Sequence, residues 1–128
     1  MTRAKLKAGS YPNVPGIYTD EQVAEWTKIV DRVHAQGGIF FCQLWHVGRC
    51  TSPEVLPNGR LPVSSTAKIL EGRNLGGAYV ATKAMDEQDM KECLAEWAHA
   101  AKMAIKAGFD GVEIHGANGY LLEYGPPL

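Results

Sequence analysis

Residues 109–122 read Phe-Asp-Gly-Val-Glu-Ile-His-Gly-Ala-Asn-Gly-Tyr-Leu-Leu. The apolar stretch Val112–Ile114 predicts a short buried strand, and three polar side chains follow it: His115, Asn118 and Tyr120. A histidine, an amide and a phenol at one strand end are typical of a catalytic rim, because two donors can hold a carbonyl oxygen while a third group supplies a proton. His115 alone also fits a structural histidine whose hydrogen bonds are satisfied within the fold.

The segment before this strand predicts the clearest helix of the chain, over residues 86–107. Asp86 and Glu87 suit the N-terminal end of a helix dipole, and Gly108 suits the C-terminal boundary. Apolar residues recur along it at helical spacing and predict one buried stripe. The stripe consists of Met90, Cys93, Leu94, Trp97, Ala101, Ala104 and Ile105.

A second helix is predicted nearer the N-terminus. Thr19-Asp-Glu-Gln22 has the form of a capping box, in which a threonine hydroxyl and a glutamine side chain satisfy free backbone N–H groups. Gly37-Gly38 marks the end of this helix. Between these limits an apolar stripe follows at helical spacing, made of Val23, Trp26, Val30 and Val33.

Residues 39–45, Ile-Phe-Phe-Cys-Gln-Leu-Trp, are almost entirely apolar, which is typical of a parallel strand covered on two sides. This strand, the helix 86–107 and the strand 111–115 predict one right-handed βαβ unit. Alternating strands and helices with apolar strands indicate an α/β fold with a parallel sheet.

Two stretches lack any period. Residues 1–18 and 46–85 contain many glycines and prolines and are predicted to be loops, the second with room for a short hairpin that the pattern does not place. If the sheet had only the two predicted strands, 39–45 and 111–115, each would be an edge strand with unpaired backbone groups. The chain is therefore expected to be part of a larger α/β domain, and self-association through the strand edges is a further expectation.

Composition limits the class of protein. The 128 residues are 45% hydrophobic and carry a formal charge of −1, which gives no basic field for nucleic acid or anionic membranes. No targeting or membrane segment is visible, so a cytoplasmic location is expected, and a peroxisomal one stays open. Three widely spaced cysteines argue against a disulfide framework, and Cys42 and Cys93 are expected to be buried thiols. His46, Cys50 and His115 lack metal-ligand spacing, so no metal is expected.

Four blocks carry a resemblance. They are residues 11–22 (Tyr-Pro-Asn-Val-Pro-Gly-Ile-Tyr-Thr-Asp-Glu-Gln), 37–49 (Gly-Gly-Ile-Phe-Phe-Cys-Gln-Leu-Trp-His-Val-Gly-Arg), 57–65 (Pro-Asn-Gly-Arg-Leu-Pro-Val-Ser-Ser) and 107–122 (Ala-Gly-Phe-Asp followed by the strand and rim above). In this order they resemble the old yellow enzyme family, and within it the plant 12-oxophytodienoate reductases. The resemblance spans residues 11–122. It implies that residues 1–128 are a partial FMN-dependent oxidoreductase domain, a fragment of a (β/α)8 TIM barrel with about its third and fourth strands and their preceding helices.

The resemblance also implies an activity: an FMN-dependent ene-reductase that passes hydride from NADPH to the C=C bond of an α,β-unsaturated carbonyl compound. His115 and Asn118 match the pair that binds the substrate carbonyl oxygen, and Tyr120 matches the proton donor. Gln43 matches an amide that binds FMN, and Trp45 matches a wall of the substrate pocket. The plant branch implies an oxylipin substrate such as 12-oxophytodienoate, in jasmonate biosynthesis.

Other interpretations stay open. Gln43 also fits a residue that satisfies backbone groups between strands, and Trp45 fits one that only packs. Residues 1–10 and 123–128 depart from the family pattern, and the family's basic FMN-binding residues have no counterpart in this sequence. The alternative expectation is therefore a truncated, non-catalytic product, or a self-associating fragment without a complete FMN site.

Overall fold

The computed structural model describes residues 2–3, 11, 13–74 and 77–123. Its elements, in chain order, are β1 (Thr2–Arg3), α1 (Asp20–His34), β2 (Phe41–Trp45), β3 (Val63–Ser64), β4 (Arg73–Asn74), β5 (Gly77–Ala78), β6 (Lys83–Ala84), α2 (Glu87–Lys106) and β7 (Gly111–Ile114). Two short 3₁₀ turns, Pro53–Val55 and Pro57–Gly59, lie between β2 and β3. The α/β prediction is confirmed, and these elements form no closed barrel.

Helix α1 begins as the capping box predicts. The Gln22 backbone N–H donates to the Thr19 hydroxyl, and the Gln22 side-chain oxygen accepts from the Thr19 backbone N–H. The helix ends at His34, before Gly37, whose φ of 74° lies in the left-handed region that glycine adopts without strain. Val23 and Val30 are buried, as the predicted stripe requires.

The main sheet has three parallel strands in the order β1-β2-β7. Strand β2 pairs with β7 from Phe41 opposite Gly111 to Leu44 opposite Ile114, and β1 pairs with Leu44 and Trp45 on the other side. Two predictions are therefore wrong: residues 1–18 are not entirely loop, and β2 is not an edge strand. A two-residue strand is defined only by its partner, so no local pattern signals it.

One face of the sheet packs on the helices. Cys42 and Leu44 of β2 point to this face, where small residues of α2 permit close approach. The core consists of Ile17, Val23, Val30, Cys42, Leu44, Ala100, Ala104, Ala107 and Phe109. Because side chains alternate along a strand, Gln43 and Trp45 lie on the opposite face.

The predicted buried stripe of α2 is only partly correct. Ala104 is buried, but Met90, Leu94 and Ile105 are 49%, 71% and 56% exposed, and Cys93 is half-buried rather than buried. Helix α2 turns its buried residues Glu96, Ala100 and Ala104 inward instead. Its apolar flank lines an open cleft of about 610 Å³ beyond β7, together with Ile114 and Leu122.

The long segment 46–85 crosses from β2 to α2. It contains a parallel pair, β3 with β6, and an antiparallel pair, β4 with β5. The second pair is a short hairpin of the kind for which the sequence left room. Within the described residues, no helix is long and apolar enough to cross a lipid bilayer.

Candidate active site at the carboxyl ends of two strands

The predicted catalytic rim lies where β2 and β7 end side by side. Trp45 is the last residue of β2, and His115 follows Ile114, the last residue of β7. The His115 backbone N–H donates to the Leu44 carbonyl oxygen over 3.0 Å, which extends the parallel ladder by one bond. His115 is buried, and alternation places its side chain on the same face as Gln43 and Trp45.

Tyr120 returns to this rim from the following turn. Its ring packs edge-on to Trp45, with centroids 5.0 Å apart, and lies 5.3 Å from the His115 ring. Tyr11 contacts the other side of the site: its ring centroid lies 5.5 Å from that of Trp45. The structure thus brings together three of the predicted residues, His115, Tyr120 and Trp45, and the Trp45 side chain is fully buried.

Two nitrogens in this cluster have no hydrogen-bond partner among the described residues. His115 Nε2 and Trp45 Nε1 are both buried, and neither makes a hydrogen bond within the part of the chain that is described. A buried polar group left unsatisfied costs about 1–3 kcal/mol, so a hydrogen bond from a bound molecule would stabilise either atom. His115 Nε2 therefore fits an oxygen acceptor brought by a bound molecule.

Asn118 is placed differently from the other predicted residues. It lies on the turn between His115 and Tyr120, exposed, with a φ of 61° in the left-handed region that asparagine tolerates. The turn is tied to the loop after β2, since the Cys50 thiol donates to the Gly119 carbonyl oxygen over 3.2 Å. The structure holds the Asn118 backbone at the rim but does not pack its side chain with the aromatic rings.

Gln43 is anchored by a residue that sequence reasoning missed. Gln43 Nε2 donates to Glu113 Oε1 over 3.0 Å, and the two residues are opposite each other in the parallel register. This bond uses one amide N–H and leaves the second N–H and the carbonyl oxygen for other partners. Such a donor and acceptor pair matches the edge of a pyrimidine ring, so the amide fits the flavin-binding role that the resemblance implies.

His46, which follows Trp45 in the chain, links the loop after β2 to the segment after Tyr120 through hydrogen bonds. It is buried, its Nδ1 accepts a hydrogen bond from the Gly48 backbone N–H at 3.0 Å, and its carbonyl oxygen accepts from Leu121 N–H. Burial lowers the pKa of His46 to about 4, so the imidazole is neutral. The described residues contain no group of three or more histidine, cysteine, aspartate or glutamate side chains that could hold a metal ion.

Tyr11 is the second residue that the sequence did not identify as part of the site. It belongs to the first of the four resembling blocks, but 109 positions separate it from Tyr120, whose hydroxyl lies 3.3 Å from its own. Helical and strand periodicity indicates only local structure, so it does not predict a contact between residues so far apart in the sequence. Burial, followed by the hydrogen bond with Tyr120, raises the pKa of the Tyr11 phenol above its ordinary value.

Comparison with known proteins gives consistent matches. Residues 1–124 match the model of the NADH:flavin oxidoreductase / NADH oxidase family. The chain is 47% identical over 116 residues to 12-oxophytodienoate reductase 1 of Oryza sativa subsp. japonica, and 47% identical over 119 residues to flavin oxidoreductase hxnT of Emericella nidulans. Both alignments cover 91% of this chain and 30% of the relative.

A solved structure agrees with the sequence matches. Morphinone reductase in complex with tetrahydroNAD superimposes with a TM-score of 0.88 at 36% identity, over 94% of this chain and 36% of that one. The chain thus spans about a third of the length of the proteins that it matches.

Proposed function

Because the chain belongs to the NADH:flavin oxidoreductase / NADH oxidase family, we propose that it is the substrate-polarising part of an FMN-dependent ene-reductase. Its reaction is the NADPH-driven reduction of the C=C bond of an α,β-unsaturated carbonyl compound. The third and fourth strands of a (β/α)8 barrel are the proposed equivalents of β2 and β7. The names of the Oryza relatives favour an oxylipin such as 12-oxophytodienoate as the substrate.

One observation carries this proposal: the ring of buried His115, whose Nε2 has no hydrogen-bond partner among the described residues, lies 5.3 Å from the Tyr120 ring at the carboxyl ends of two parallel strands. Ligands bind at this end of strands in barrels of this class. In the tautomer that carries its proton on Nε2, His115 donates a hydrogen bond to a carbonyl oxygen placed against it, and no described protein group competes for that proton.

His115 and Asn118 act on the substrate oxygen. Addition of hydride at the β-carbon of an enone moves negative charge onto that oxygen, and donors fixed in advance stabilise the charge without reorganising. Each such donor contributes roughly 2.7–4 kcal/mol in a site closed to water. In this assignment His115 is already in place, and Asn118 turns inward from its exposed position when substrate binds.

Tyr120 completes the reaction. The enolate needs a proton at its α-carbon, and an uncharged phenol beside it acts as a general acid. FMN, when bound, supplies the hydride. The Gln43 amide, oriented by Glu113, would hold the pyrimidine edge of the cofactor.

The first test is flavin binding. The chain is purified with excess FMN, desalted and examined for a visible absorption band, then assayed with NADPH and a simple cyclic enone. A stoichiometric band and NADPH oxidation that depends on the enone are expected. Gln43→Leu should weaken the band, whereas Gln36→Leu, an exposed glutamine after α1, should not. A chain that binds FMN and reduces no enone would overturn the proposed activity.

A second candidate is a fragment without turnover that associates with its own copies. Leu94 and Ile114 are 71% and 59% exposed beside β7, which pairs on one side only within the described sheet. Open strand edges and apolar patches are sites of association between chains. Light scattering should then report a dimer or larger species that Leu94→Lys weakens, with exposed Ala95→Lys on the same helix as the control. A monodisperse folded monomer would exclude it.

A further inference from the structure

The hydroxyls of Tyr11 and Tyr120 lie 3.3 Å apart and both rings contact Trp45. Tyr11 is half-buried, and its ring is held against the indole with centroids 5.5 Å apart. This contact restricts the orientation of the Tyr11 ring, since tilted and offset aromatic pairs are favoured over a face-to-face sandwich. The Tyr11 hydroxyl is therefore held toward the oxygen from which the proposed proton transfer starts.

We propose that Tyr11 is a positioning residue for the proton donor: its hydroxyl donates a hydrogen bond to the Tyr120 oxygen and stabilises the phenolate left when Tyr120 gives up its proton. This inference rests on the proposed function, since it assigns a purpose to Tyr11 only if Tyr120 is the acid. It adds to that function a residue from the N-terminal part of the chain, far in sequence from the rim.

The direction of the hydrogen bond follows from the surroundings of the two phenols. Either oxygen can be the donor while both are protonated. Burial raises the pKa of Tyr11 most, and the hydrogen bond with Tyr120 raises it next. Negative charge on Tyr120, Cys50 or Tyr79 raises it further, because it would repel a Tyr11 phenolate. Tyr11 thus keeps its proton when Tyr120 loses its own, and is left as the donor.

The O–H bond of Tyr120 breaks, a C–H bond forms at the substrate α-carbon, and the electron pair of the O–H bond stays on the Tyr120 oxygen. The bond from Tyr11 then becomes charge-assisted, and such bonds are about twice as strong as neutral ones. Water returns a proton to Tyr120 before the next turnover. Because this hydrogen bond strengthens as Tyr120 loses its proton, it lowers the barrier to proton transfer. The lower barrier corresponds to a rate about 5- to 10-fold higher.

The test is a double-mutant cycle on the FMN-loaded protein, with the two half-reactions measured separately. Tyr11→Phe keeps the ring that packs on Trp45 and removes only the hydroxyl. We expect it to slow enone reduction about 5- to 10-fold, to leave flavin reduction by NADPH unchanged, and to have no further effect when Tyr120→Phe is already present. Tyr18→Phe, a tyrosine outside the cluster, is the matched control and should behave like the unsubstituted protein.

A merely structural role predicts a different result. Loss in both half-reactions, or the same loss with and without Tyr120→Phe, would overturn the inference. If the protein binds no FMN, or binds it and reduces no enone, the double-mutant cycle does not apply and alkaline titration of the phenols decides the pairing alone. Tyr120→Phe should then lower the pKa of Tyr11, since it removes the bond between them. An unchanged titration would show that the hydroxyls are not coupled.

Discussion

Tyr120 stands edge-on to Trp45, with ring centroids 5.0 Å apart and ring planes at 85°. In this T-shaped contact the ring of Tyr120 contributes to packing, while its hydroxyl points to Tyr11. The Tyr120 ring therefore packs on Trp45, whereas its hydroxyl is the group proposed to transfer the proton. A substitution that keeps the ring and removes the oxygen separates the two.

Tyr120→Phe is expected to slow enone reduction about 10²- to 10⁴-fold while leaving flavin reduction by NADPH nearly unchanged, because the phenol acts only after hydride transfer. Rapid-mixing measurement of each half-reaction in the FMN-loaded protein checks this. Equal loss in both half-reactions would contradict the role of proton donor.

Removal of either proposed carbonyl donor is expected to weaken the binding of phenolic ligands, whose oxyanions imitate the polarised enone oxygen. His115→Ala should raise the Kd about 10- to 100-fold, as expected for a lost hydrogen bond to a charged group. Asn118→Ala should have a smaller effect, since its exposed side chain must first become ordered to reach the ligand. Spectral titration of bound FMN with a substituted phenol measures both, and unchanged affinity would reject the assignment.

The regular elements were predictable because they depend on local pattern. The strand expected at 39–45 is observed at Phe41–Trp45, and the helix expected at 86–107 is observed at Glu87–Lys106. Capping residues and apolar spacing act within a few residues of each helix or strand, so the sequence reports them directly.

What could not be predicted depends on partners far along the chain. Strand β1 exists only through its pairing with Leu44 and Trp45, and Tyr11 joins the site only because the fold brings it to Tyr120. Glu113 looked like an ordinary strand residue until the register placed it opposite Gln43. The apolar flank of α2 was expected to be buried because periodicity shows an apolar face but not what lies against it.

Asp110 joins the end of α1 to the start of β2, and its loss should destabilise the βαβ unit. Asp110 Oδ2 accepts from the Phe40 backbone N–H at 2.7 Å and contacts His34 Nε2 at 2.9 Å. These bonds, the Phe40 N–H first, lower the pKa of the carboxyl. The stabilisation is therefore present above the ordinary pKa of aspartate and is lost as pH falls through the lowered value.

Chemical denaturation at neutral and acidic pH tests this link. Asp110→Asn should unfold at lower denaturant than the unsubstituted chain at neutral pH, and the difference should shrink in acid. Asp31→Asn, an exposed aspartate on α1, is the control. A difference between Asp110→Asn and the unsubstituted chain that is independent of pH would show that the charge of Asp110 is not involved.

His46 should also make the free energy of unfolding depend on pH, over a higher pH range than Asp110 does. Its folded-state pKa of about 4 lies below the ordinary value of 6.5, so the unfolded chain binds a proton that the folded chain does not. The stabilisation is complete above the ordinary value and is lost as pH falls toward about 4. Between about pH 7 and pH 5, the loss from this residue amounts to about 2 kcal/mol.

The substitution that isolates this effect is His46→Asn, because the asparagine oxygen can still accept the Gly48 N–H that His46 Nδ1 accepts at 3.0 Å. Denaturation curves across this pH range should be flatter for His46→Asn than for the unsubstituted chain. Gln88→Asn, at an exposed residue of α2 without an ionisable side chain, should keep the original slope. If the curves for His46→Asn and the unsubstituted chain have the same slope, the buried imidazole is not the source of the pH dependence of the free energy of unfolding.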